Sequence, residues 1–419
     1  MNNLFKYEFM KIAKKRMNIV VVLVSLFLTL LFFIMPVKNY IALERDGSQV
    51  NGTAAIRLEK EYAKELEGTL TEERVAKDIK AYQALFSNPE NVVKDGDQVN
   101  LKDDIYARSV LPHFAYFKMI DEAFVKPQVT DNGLTALRDM RLNKDTAGFY
   151  QARADKVKSY LDMDYSDWKY SEQEKQFWNT HNSQVETPYE YGYHAGWKSL
   201  FQCFELLIVS IIAICICVAP VFAGEYQSGA DSVILSTRYG KSKLIQAKIS
   251  AAFLFALLVF TVNIVLAVGI QLYAFGTGGW NLPLQILNVT VPYNLSMLEA
   301  AVVCVSILYL VLLGMVAVTL LLSAKMKTAF VVLVIDVLII LLPVFLGLSG
   351  TNGILNHILM LLPYMAVQPV FPADYTSYFS YPLPGLTLSI ITVRIVLYVV
   401  ICSVCLPFVG RVFKRHQVQ

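Results

Sequence analysis

Six apolar runs separated by polar stretches organise this chain. They fall near residues 19–35, 201–223, 249–273, 297–322, 329–349 and 386–409. Each approaches or exceeds the length a helix needs to cross a hydrocarbon core about 30 Å thick. Ahead of the first run, Phe5, Phe9 and Ile12 share one helical face and Lys11, Lys14 and Lys15 turn away from it. That pattern predicts an amphipathic helix within residues 1–18, lying in the membrane interface with its apolar face in lipid. Residues 37–197 form a polar insert long enough to bury a core of its own. Helical periodicity there predicts helices over 53–67, ended by Gly68, and over 73–86, preceded by capping-box spacing from Thr69 to Glu72. Further helices are expected near 114–125, 147–161 and 171–181, with a turn-rich loop from Ser87 to Asn100. The fold class is an all-α membrane protein. Six transmembrane helices carry a mainly helical domain (37–197) between the first (19–36) and a five-helix membrane part (198–419).

Charge then orients the spans. Lys6, Lys11, Lys14, Lys15 and Arg16 precede the first; Arg238, Lys241, Lys243 and Lys248 lie in the 224–248 loop; Lys325 and Lys327 follow the fourth span, and Arg411, Lys414 and Arg415 the sixth. The loops near 274–296 and 350–385 contain neither lysine nor arginine. The positive-inside rule therefore puts both termini in the cytoplasm and residues 37–197 outside the cell. The net charge of +3 averages unlike parts, because 37–197 holds 21 Lys and Arg against 27 Asp and Glu, a net of −6. No soluble part is basic enough for nucleic acid. The first run, at 17 residues, exceeds a signal-peptide core, and Met35-Pro36-Val37-Lys38 is a poor cleavage site, so it reads as an uncleaved anchor. Tyr189, Tyr191, Tyr193 and Trp197 read as an aromatic belt at headgroup level. Ile354 to Met365 is apolar but too short to span, which predicts a short outer helix over 354–365, interfacial or re-entrant.

Candidate chemistry is sparse. The string nearest to a phosphate-binding loop, Gly192 to Ser199, has Trp197 where glycine is required. The five histidines are scattered, and His113, His181 and His194 read as structural. All six cysteines fall in spans as small apolar fillers, and Cys215 and Cys217 do not share a helical face. Neither catalytic residues nor a metal or cofactor site of the chain's own is expected. Asn51, Asn288 and Asn294 match glycosylation sequons by pattern only. Four ionisable residues fall in or at the ends of spans: Glu205, Glu299, Asp336 and Arg394. They read either as a polar gate or substrate path, or as ion pairs fixing helix packing or a dimer seam. Depth matches Arg394 with Glu205 or Glu299, and leaves Asp336 less well matched.

In the 224–248 loop, Ser228-Gly229-Ala230-Asp231 can cap a short helix running to about Thr237, and Arg238-Tyr239-Gly240-Lys241 forms the turn out. Tyr226, Ala230 and Val233 then share one face, suited to a shallow groove on a partner protein. The plainer reading is a solvated loop with basic anchors.

The basic N-terminal helix, the six spans, the Gly-Glu then Arg-x-Gly-Lys loop after span two, and the short outer helix together resemble ABC-2 type transporter permeases. The large domain between the first two spans resembles a subgroup from Gram-positive bacteria. The resemblance covers roughly 1–36 and 198–419. It implies that Gly224 to Arg238 forms a coupling helix seated on a separate ATPase subunit, which binds ATP and Mg. Gly224, Glu225, Tyr226, Ala230, Asp231, Val233, Arg238, Gly240 and Lys241 would be the coupling residues. It also implies a second permease copy, alternating access, and a connecting role for the N-terminal helix in the bilayer surface. The expected function is export of an amphipathic or hydrophobic substrate, such as an antimicrobial peptide or a lipid-like molecule. The rival is a membrane-anchored sensor or scaffold whose outer domain binds a ligand without transport. An intramembrane hydrolase lacks a paired nucleophile and base, and a channel lacks a ring-forming polar stripe.

Overall fold

The computed structural model describes residues 2–95, 98–127, 129, 133–140, 148–164, 168–236, 240, 242–347 and 353–415. It is mostly helical, and six helices are long and apolar enough to cross a membrane: Arg16–Lys38, Ala195–Ser228, Lys243–Phe275, Met297–Lys325, Ala329–Leu346 and Ile390–Lys414. They are the first to sixth spans below. Successive spans run in opposite directions, so the bundle has an insert end, at Lys38 and Ala195, and a termini end, at Arg16 and Ser228. Three spans carry a proline well inside the helix or near its end, Pro36, Pro343 and Pro407. The second is interrupted twice, by a tighter turn at Phe204–Leu207 and by Pro220 opening a new helical segment.

The N-terminal helix, Asn2–Ala13, is shorter than the 1–18 segment expected, and only two residues separate it from the first span. Its apolar face does not lie free. Ile12 is buried, and Phe5 and Phe9 pack onto the main hydrophobic core. The helix lies along the third span, and Glu8 provides the polar contact between them.

In the insert, helices run Thr53–Glu65, Glu72–Ser87, Phe114–Phe124, Phe149–Leu161 and Glu172–Ser183. Periodicity missed two shorter ones, Asp103–Ser109 and Thr135–Asp139. The cap of the Glu72–Ser87 helix is Thr71, which accepts from Arg74 N–H, rather than Thr69. The insert is not all-α. Residues 41–43 pair with 49–51, 92–95 with 98–101, and Gly68-Thr69 with Glu190-Tyr191. The second of these pairings replaces the loop expected over Ser87 to Asn100.

The aromatic belt reading is overturned here. Tyr189, Tyr191 and Trp197 are buried inside the protein, and Tyr189 packs edge-on against Phe149 and Tyr150. These rings join the insert to the second span, which is why they sit where the chain enters the bundle.

Two long loops at the insert end close over the insert. Arg153 donates to the carbonyls of Val289 at 2.8 Å and Val291 at 3.2 Å. Trp178 Nε1 donates to Ser380 Oγ, whose hydroxyl donates to Glu174 at 2.9 Å. The expected 354–365 helix is two helices, Ile354–Leu359 and Pro363–Ala366, since Pro363 cannot continue the first. A hairpin, Ser380–Leu383 with Leu386–Ser389, takes up what read as the start of the sixth span, which begins at Ile390.

Candidate functional site

The termini end of the second span is built to stop, turn and restart. Pro220 opens a last helical segment, Pro220–Ser228, and the first-turn N–H groups of Phe222 and Ala223 both donate to Ser323 Oγ at 3.0 Å. Ser323 in turn donates to the Ala219 carbonyl at 2.6 Å, so one hydroxyl from the fourth span satisfies the break. Gly229 ends the segment with φ +69°, a left-handed conformation that glycine takes without a Cβ clash. A second short helix, Ala230–Ser236, follows at once. Its Ser232 hydroxyl donates back to the Gly229 carbonyl at 2.9 Å, which stiffens the corner. Val233 is 67% exposed at the tip.

The candidate coupling residues fall into two groups that do not face the same way. Val233 points to solvent. Glu225 and Tyr226 turn into the chain itself, which corrects the expectation that Tyr226 shares a partner-facing surface with Val233. The Tyr226 hydroxyl donates to the Ala324 carbonyl at 2.8 Å, and its ring stacks on Phe413. Gly224 has Pro220 at van der Waals distance from where a Cβ would stand. Ala230 is half-buried, Asp231 lies within the Ala230–Ser236 helix, and Gly240 is buried. Arg238 and Lys241 lie outside the described residues.

Glu225 is the centre of a charge cluster in which Glu8, Glu225 and Lys248 are buried and Lys11 lies at the exposed edge. One of its oxygens accepts from Lys248 at 2.5 Å and from Lys11 at 2.6 Å, and Lys248 also donates to Glu8 at 2.8 Å. Two ammoniums and two carboxylates sum to zero charge, so burial does not leave an unpaired ion. Lys248 is only 1% exposed. Burial works against the charge on Lys11, but its hydrogen bond and proximity to Glu225 prevail and raise its pKa. The cluster ties the N-terminal helix to the third span and to the last turn before Gly229. The sequence pattern assigns Glu8 no role, and Lys248 only a place among the basic residues of the 224–248 loop. The available signal was a single acid at position 8 amid five basic residues.

The four intramembrane residues are not brought together. Arg394 is 1% exposed and pairs with neither Glu205 nor Glu299. Its guanidinium donates to three backbone carbonyls: Met365 at 2.8 Å, Gln368 at 3.0 Å and Met360 at 3.2 Å. Those carbonyls come from the ends of the Ile354–Leu359 and Pro363–Ala366 helices, where backbone acceptors lack helical partners. Glu299 is instead half of a capping box: it accepts from Ser296 N–H at 2.8 Å and holds the start of the fourth span. Glu205 is half-buried in the Phe204–Leu207 turn. Asp336 is buried against the fourth span, where one oxygen meets Thr319 Oγ1 at 2.9 Å and the other has no hydrogen-bond partner among the described residues.

No protein family, curated protein or solved structure matches this chain. Its own geometry therefore carries the functional argument.

A polar seam inside the first three spans was also missed. Asn18 donates to the Ile12 and Cys217 carbonyls; Thr29 donates to Asn263 at 2.7 Å beside Ser25 and Ser210; Gln271 meets Ser199 at 2.9 Å and the Phe33 carbonyl at 2.8 Å. Asn18, Ser25 and Thr29 lie seven and four residues apart, on one helical face. Asn263 and Gln271 are eight apart, on one face of the third span. That spacing was the available signal. Interhelical hydrogen bonds of this kind fix which faces meet where lipid and core are equally apolar.

Proposed function

We propose that this chain is the membrane permease subunit of an ATP-driven exporter of the ABC-2 type. In this reading both termini and the 229–242 turn lie in the cytoplasm, and the insert stands outside the cell. A separate ATPase subunit binds ATP and Mg, and a second permease copy completes the transporter. The cargo is amphipathic or hydrophobic, an antimicrobial peptide or a lipid-like molecule.

The observation that carries the reading is the Ala230–Ser236 helix. It is short, it follows a rigid glycine corner, and it presents an exposed valine at the end of a span whose last turn is locked by buried ions. A small apolar tip on a stiff mount suits a groove on a partner. Movement of that partner would reach the second span through Pro220–Ser228, and the N-terminal helix and third span through Glu225. The rival reading, a sensor or scaffold without transport, draws on a cavity in the insert.

The test is co-purification of the full-length chain with the ATPase encoded in the same cells. Replacing residues 230–236 by a Gly-Ser stretch of equal length is expected to lose the ATPase while the permease itself remains folded. Equal recovery of the ATPase would contradict the assignment.

A further inference from the structure

A cavity of about 410 Å³ opens at the foot of the insert, between the Thr53–Glu65 helix, the 41–43 strand and residues 191–194. That is within the size range of small-molecule sites. Its walls are mainly apolar, with the rings of Tyr62, Tyr106, Tyr116, Tyr191 and Tyr193. Two of these rings already lie beneath protein cations: Arg45 is 5.5 Å from the centre of Tyr62, and Lys60 Nζ is 5.8 Å from that of Tyr193. The π-faces here are thus used to hold positive charge.

Two polar atoms in the lining are left over. Glu59 accepts from the Tyr40 hydroxyl through one oxygen, and its other oxygen has no hydrogen-bond partner among the described residues. The Tyr193 hydroxyl is buried and likewise without one. His194, also in the lining, is occupied by the Gly192 carbonyl at 2.9 Å, and burial pushes its pKa down to about 4, so it adds no charge at neutral pH. Glu59 is half-buried, so its free oxygen can take a donor from a ligand in the cavity, and the buried Tyr193 hydroxyl beside it would gain a partner from the same occupant.

We infer that this cavity binds a small organic amine: an ammonium donating to Glu59, carried on an apolar or aromatic body that packs against the tyrosines. A carboxylate acceptor and aromatic faces both select positive charge, and the apolar wall selects the body. An anionic ligand would place like charge on Glu59. The assignment stands whether or not the chain is an exporter. The site lies where Tyr191 to His194 lead into the second span, so an occupant would touch the segment that joins insert to bundle.

Three probes with one ring and different heads test this: tryptamine, 3-ethylindole and indole-3-propionate, titrated by calorimetry against the full-length protein in lipid nanodiscs, with empty nanodiscs as the blank. Tryptamine is expected to bind saturably, and at least roughly 10-fold more tightly than either of the others, as a charge-assisted hydrogen bond implies. Glu59→Gln, which keeps the shape and the Tyr40 contact, is expected to erase that preference, and Tyr193→Phe to weaken tryptamine by a smaller factor. Both variants should keep the wild-type unfolding temperature within a few degrees. Equal affinity for the three probes, no saturable binding, or a tryptamine preference that survives Glu59→Gln in folded protein would overturn the proposal.

Discussion

Arg394 and Lys248 are both buried cations near opposite ends of the bundle, and they are neutralised in different ways. Arg394 has no carboxylate partner; three backbone carbonyls at the ends of two short helices surround it. Lys248 sits between two carboxylates from different elements, one of them shared with Lys11. The guanidinium acts as a local keystone, since its acceptors all come from residues 360–368 and cannot leave without orphaning a charge. The ammonium acts as a joint, since Glu8, Glu225 and Lys248 belong to three different helices that it holds to one another. The lesson is that a buried charge with carbonyl partners shapes a loop, while one with side-chain partners links bodies.

The largest effect that would break this distinction is at the keystone. Arg394→Met removes the donor from three carbonyls, at about 1–3 kcal/mol each, so a total loss of about 3–9 kcal/mol is expected. Thermal unfolding and hydrogen exchange over 360–368 would register it. A variant as stable as wild type would show that water reaches those carbonyls. Next comes the joint. Lys248→Met leaves Glu8 without its partner, at about 3 kcal/mol, the lower end for a broken buried pair because Lys11 still serves Glu225. Adding Glu8→Gln should recover at least half of that, whereas no equivalent second substitution rescues Arg394→Met. Failure of the rescue in unfolding measurements would remove the pair from the account.

The smallest effect concerns a third base, His194, which avoids the cost by shedding its charge. Burial lowers its pKa from 6.5 to about 4, so its contribution is intact above pH 6.5 and is lost as pH falls toward 4. The wild type should lose about 1–3 kcal/mol across that interval that His194→Gln does not lose. Parallel pH profiles for the two proteins would contradict this.

What was readable in advance follows from the length and chemistry of each signal. The six spans were legible because each is a long apolar run, and the helices at 53–65 and 114–124 because three or more turns show a period. The short helix after Gly229 was legible from Ser228-Gly229-Ala230-Asp231, whereas the continuation of the second span to Ser228 and its break at Gly229, which divides the expected 224–238 coupling helix, were not, because the apolar run ends at residue 223. The short pairings, such as Gly68-Thr69 with Glu190-Tyr191, were not, because two residues carry no period and their partner lies 121 positions away. Depth along a helix misled on Arg394: it predicts height in the bundle, not direction, and carbonyl acceptors leave no mark in a sequence. Tyr191 and Trp197 misled because position beside a span is shared by belt residues and by residues that bury a domain joint. Glu8 and Lys248 were invisible as a pair for want of any sequence rule linking residues 240 apart.

The central claim, that Ala230–Ser236 passes force from an ATPase to the bundle, is tested most directly by hydrolysis in a reconstituted complex. The chain and the proposed ATPase partner are placed together in liposomes, and the stimulation of ATP hydrolysis by the chain is compared for wild type and for Val233→Asp combined with Arg238→Glu. The account predicts a fall to the rate of the ATPase alone, with the Glu8, Glu225 and Lys248 cluster untouched and the chain folded. Full stimulation by the double variant would contradict it.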